Sequence, residues 1–119
     1  MTLVVGGSSP TIYIVKLDGI DTTQGIMPIL THLKETKGLD YIATTSSEGV
    51  TLTRVGDVKQ NEELKSYLYI FSTVEKDRDI TENSRTVRFE GKHIFSAGVS
   101  ADKLTIEDGC IIYIGLVRK

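Results

Sequence analysis

Tryptophan is absent from the chain, cysteine occurs once and proline twice. A lone Cys110 cannot close an internal disulfide, and it leaves no paired-cysteine spacing of the kind zinc sites use. Fourteen Lys and Arg against sixteen Asp and Glu are scattered without a basic block able to follow a phosphate backbone, which argues against nucleic acid as a partner. No run approaches eighteen consecutive apolar residues, and the opening Met1-Thr2-Leu3-Val4-Val5 lacks the basic start of a signal peptide. These absences predict no membrane insertion and a cytoplasmic or other reducing compartment. At 119 residues the chain is sized for a single domain that needs neither metal nor disulfide to hold it.

Apolar runs punctuated by single glycines make up most of the rest. "TLVV" and "TIYIVKL" read as a strand pair or one firm strand within an N-terminal extension, residues 1–21, and "GGSSP" between them reads as a tight turn. Ile26, Ile29, Leu30 and Leu33 recur at helical spacing, with Pro28 in the first turn and Gly38 at the end, which predicts a helix over 26–37. "LDYIATTSSEGVTLTRVGD" predicts a hairpin with strands near 40–45 and 50–55. Asn61 before Glu62 and Glu63 reads as a cap, and Leu64, Tyr67, Leu68 and Phe71 as the stripe of a second helix over 61–75. The same "YLYIF" satisfies a strand, since five bulky residues in a row fit either period. "TVRFEGKHIFSAGV" predicts another hairpin turning at Glu90-Gly91-Lys92, and "CIIYIGLV" a central last strand. The expected fold is therefore α/β: a mainly antiparallel sheet with two helices on one face, in the order β(β)-α-β-β-α-β-β-β.

Catalytic chemistry finds little support in the residues. His32 and His93 are the only histidines, and neither has a visible partner. Cys110 opens the most apolar strand, where burial and acidic neighbours would raise its pKa. "GGSSP" lacks the Lys-Ser/Thr ending and following helix of a phosphate loop. Asp18, Asp21, Asp77, Asp79 and Glu82 lack the alternation of a calcium loop. The expectation is a protein that is not an enzyme, with no cofactor and no metal, acting through a surface.

Two families share parts of this pattern. The helix ending in "LKETKGLDYI", the hairpin "ATTSSEGVTLTRVGD" and the entry into "VKQNEELKSYL" resemble the roadblock/dynein light chain family, including the small Ragulator subunits, over residues 26–117. That resemblance implies a non-enzymatic scaffold that pairs with itself or a sister subunit and supports a small GTPase. It directs attention to Val50, Leu52 and Arg54 on the second hairpin strand, and to Tyr67, Tyr69 and Ile70, which would be exposed on the second helix once Leu64, Leu68 and Phe71 faced the sheet. "RTVRFEGKHIFSAGVSADKLTIEDGCIIYI" instead resembles the end of a SUMO-like β-grasp domain, laid over residues 40–119. This implies a module that binds an extended peptide, non-conjugable because the chain ends "LVRK" rather than Gly-Gly. The helix over 26–37 favours the roadblock order. A structural component of a virion or other assembly is the third reading.

Overall fold

The computed structural model describes residues 1–7 and 9–118, so that Ser8 of the predicted GGSSP turn and Lys119 lie outside the described residues. Nine strands and one α-helix are present among them: β1 (Thr2–Val5), β2 (Thr11–Ile14), α1 (Met27–Lys37), β3 (Tyr41–Ser46), β4 (Gly49–Val55), β5 (Val58–Lys59), β6 (Ser66–Ser72), β7 (Thr86–Phe89), β8 (Lys92–Ser96) and β9 (Ile111–Arg118). Six strands form one sheet in the order β2-β1-β9-β6-β8-β7, and β3-β4-β5 form a second, smaller one. Neighbours run antiparallel except β1 and β9, which are parallel.

The helix begins with Pro28 in its first turn, where a missing N–H costs nothing. It ends at Gly38, whose left-handed φ of 71° lets the Gly38 and Leu39 N–H groups return to the carbonyls of Lys34 and Leu33. Ile29, Leu30 and Leu33 are buried along its inner face. They pack with Leu3, Val5, Ile112 and Ile114 from one face of the large sheet and with Leu52, Val55 and Val58 from the small one, which together form the main core.

A second apolar cluster covers the opposite face. Val4, Phe71 and Ile94 are fully buried there, and the Tyr113 ring stands edge-on to Phe71 with centroids 6.0 Å apart. Phe89 of β7 lies 6.3 Å from Tyr113 of β9. In a flat sheet three strand steps would put them about 14 Å apart. β8 pairs with β6 only at Phe71 and Ser72, so the β7–β8 hairpin leaves the sheet plane and curls over this face. Its tight turn suits a twisted hairpin, with Glu90 and Gly91 both at positive φ. Gly6 also serves this cluster, because any Cβ there would overlap the Tyr113 phenol.

Two expectations are corrected. The fold is mostly β, in two sheets with one α-helix, and not a single sheet carrying two helices on one face. The predicted second helix over 61–75 is a tight turn followed by strand β6. Asn61 does cap, accepting the Leu64 N–H at 3.3 Å, but Lys65 then takes φ 53° and the Asn61 and Ser66 backbones bond to each other, reversing the chain. The bulky run is used at period two: Leu68 and Ile70 pack against the main core while Tyr69 and Phe71 join the aromatic cluster. Leu64, expected in the core, is 57% exposed as a result. The hairpin at 41–55, the helix at 27–37 and the central last strand follow the sequence reading closely.

Truncating Ile112→Ala, at the centre of the large sheet, should lower stability by about 2–5 kcal/mol in denaturant unfolding. Ile14→Ala, on a residue 77% exposed, should stay within about 0.5 kcal/mol.

Candidate functional site

Strand pairing leaves two backbone edges facing each other. β6 is paired along its whole length with β9, but on its other side β8 reaches only Phe71 and Ser72. Leu68 and Ile70 direct their N–H and C=O groups to this side, as the bonds from Leu68 N–H to Gln60 Oε1 and from Ala97 N–H to the Ile70 carbonyl show. β4 is paired with β3 except for a bulge at Thr53, and on its other side β5 reaches Arg54 and Val55, with the Gln60 N–H adding a bond to the Thr53 carbonyl at 2.9 Å. Val50 directs its N–H away from β3 to Asp102, and by strand alternation Leu52 points the same way.

A cavity of about 290 Å³ opens between these edges, lined by Val50, Thr51 and Leu52 on one wall and Leu68, Tyr69 and Ile70 on the other. Asp79, Ala97, Val99, Ser100 and Ala101 line the rest of it. The Asp79 carboxylate accepts the Thr81 N–H at 2.9 Å, and hydrogen bonding from Thr81 holds its pKa below the usual carboxylate range. Val99 is 37% exposed, so an apolar wall continues to the surface beside a fixed negative charge.

One carboxylate holds the β3–β4 hairpin in place. Asp102 accepts both the Val50 N–H at 3.0 Å and the Ser100 hydroxyl at 2.7 Å, and these bonds lower its pKa. Lys103 adds a bond from its ammonium to the Glu48 carbonyl at 3.3 Å. Gly49 makes the close approach possible: its φ is 124°, and a Cβ there would overlap Ser100 and Asp102. The anchor ties the hairpin tip to a short 3-10 turn at Ala101–Lys103.

Four of the six residues singled out from the sequence, Val50, Leu52, Tyr69 and Ile70, thus line one cavity. Tyr67 lies on β6 but outside that lining, and Arg54 lines a different cavity. Asp79, Asp102 and Ser100 were missed as contributors. Their neighbours in sequence read as solvated loop, and only the tertiary fold brings 50 and 102 together. His32 and His93 are both exposed. Cys110 is buried, and burial pushes its thiol pKa up. Among the described residues no three His, Cys, Asp or Glu side chains gather as a metal site would, and no helix is long and apolar enough to cross a membrane.

No protein-family model and no curated protein matches the chain. A crystal structure of a "putative metal binding protein" from Ruminococcus gnavus is similar in fold, with a TM-score of 0.59 at 14% sequence identity, over 99% of this chain and 93% of that one.

Replacing Asp102 with Ala should speed amide hydrogen exchange at Val50 while leaving β9 amides protected. Because the folded pKa of Asp102 is depressed, its contribution is fully present above the ordinary carboxylate range and fades as the pH falls through the folded value. Val50 protection should accordingly hold at neutral pH and drop only below about pH 4. In Asp102→Ala that acid-dependent drop should be missing.

Proposed function

We propose that the chain is a non-enzymatic binding module of β-grasp type, which takes an extended segment of a protein partner along the open edge of β4. The cavity of about 290 Å³ between the β4 and β6 edges carries this reading. Strand addition supplies affinity through main-chain hydrogen bonds and specificity through pockets for alternate side chains. Here the Leu52 backbone offers the hydrogen bonds, and Val50, Leu68, Ile70 and Ala97 offer an apolar seat for one side chain. Asp79 at the rim favours a basic residue beside that anchor.

Strand order adds support. A β-grasp domain runs hairpin, helix, then strands, and this order is met from residue 2 onward: β1–β2, α1, then β6 to β9. The hairpin expected at 40–45 and 50–55, with which the β-grasp resemblance over 40–119 begins, is instead part of a three-stranded meander, 41–59, set between the helix and β6. A roadblock-type dimer would draw on a helix over 61–75, where this chain has a strand.

The test is selection of binders from a random peptide library displayed on phage, followed by titration of the synthetic peptide into the labelled full chain. Shift changes should centre on Val50–Leu52, Leu68–Ile70 and Val99–Ser100, and N-methylation at alternate peptide positions should abolish them. Val99→Arg should weaken a basic peptide about tenfold, whereas Val99→Asp should not. Indifference to N-methylation, or shifts confined to another surface, would rule out strand addition at β4.

A further inference from the structure

Gln60 stands where the chain passes from one sheet to the other. Asn61 and Ser66 bond each other through both backbones, as a hydrogen-bonded pair of an antiparallel ladder does. The next such pair along that ladder would be residue 59 with Leu68, the carbonyl of 59 accepting the Leu68 N–H. Lys59 is elsewhere: it belongs to β5 and pairs with Arg54 of β4. The Gln60 N–H likewise donates to the Thr53 carbonyl of β4 at 2.9 Å. Its side chain goes the other way, and Oε1 accepts the Leu68 N–H at 3.3 Å. A carboxamide thus occupies the place that a continuing strand would give to a main-chain carbonyl.

The substitute is a weak one. Its bond is longer than the about 2.9–3.0 Å usual for N–H to oxygen, and among the described residues the Gln60 amide group has no other partner. Further along β6, the Leu68 carbonyl and the Ile70 N–H have no partner among the described residues, before the Ala97 N–H takes the Ile70 carbonyl at 2.8 Å. The edge therefore carries three consecutive groups that an added strand would take, and only a side chain holds the first. Gln60 also lines an open groove of about 750 Å³ together with Thr53, Asn61 and Glu62, which leaves room for the carboxamide to swing out.

We propose that Gln60 is a displaceable cap on the cleft: the partner segment pushes the carboxamide aside, takes the Leu68 N–H with a main-chain carbonyl, and pairs with β6 as well as with β4. This rests on strand addition in the cleft, and it makes the cap a brake on affinity. The test uses peptides selected on the wild-type chain and on Gln60→Met, whose side chain is of similar length without a strong acceptor, with Gln60→Glu as the variant that keeps one. Gln60→Met should bind a selected peptide about threefold to tenfold more tightly than wild type, the size of one neutral hydrogen bond no longer given up, and Gln60→Glu should bind it no more tightly. In free Gln60→Met the Leu68 amide should exchange faster than in wild type, and the peptide should restore its protection. Binding at β4 that is unchanged or weakened in Gln60→Met, equal tightening in Gln60→Glu, or a Leu68 amide still exchanging fast in the complex would each overturn the cap and leave strand addition at β4 standing. Failure of wild type and Gln60→Met alike to bind any peptide would sink both.

Discussion

The two ends of the chain meet in the middle of one sheet. β1 runs parallel beside β9, and β9 is closed on its other side by β6, so Ile112 and Ile114 have no exposure at all. A parallel pair cannot be joined by a tight turn, so the chain between Val5 and Ile111 makes a long excursion, adding β2, β6, β7 and β8 to the same sheet on the way. Helix α1 leaves first and covers one face. The β7–β8 hairpin returns last and curls over the other. The meander 41–59 has no place in the large sheet, and it packs at the side of the main core through Leu52, Val55 and Val58.

That packing explains why a cleft exists. Two sheets that share a core but no ladder leave the edges of β4 and β6 facing each other. Edges of this kind invite pairing, and proteins usually cover or disrupt them. Here Asp102 holds the hairpin tip to the turn beside it, and Gln60 and Ala97 each take one backbone group of β6, leaving the middle of the slot open. The aromatic cluster of Phe71, Tyr113 and Phe89 fixes β6 from behind. The cleft walls are therefore set by packing on both sides rather than by a mobile loop.

Local signals carried much of this into the sequence. Pro28 and Gly38 bracket the helix because each acts through its own backbone. The alternating run 41–55 pairs with itself across two residues, and the Glu90-Gly91 turn is fixed by its two positive φ angles. The stretch 61–72 was not legible in the same way. A capping Asn61 stabilises a single turn as readily as a helix, and a run bulky on every residue has no period to read. Its strand state is decided by β9, forty residues downstream and more. Pairing of Val50 with Asp102 is equally non-local, so the cleft residues on β4 and β6 could be suspected individually, while the cavity they share could not.

The binding reading depends on Leu52, packed in the core and 2% exposed, having no ladder partner on its cleft side. Amide hydrogen exchange on the free chain tests it directly by comparing two adjacent residues. Thr51 should be protected, because its N–H belongs to the β3 ladder, and Leu52 should exchange markedly faster, because its N–H faces the cleft. Equal protection of the two amides would mean that the β4 edge is already closed against β6, and that no extended segment can pair there.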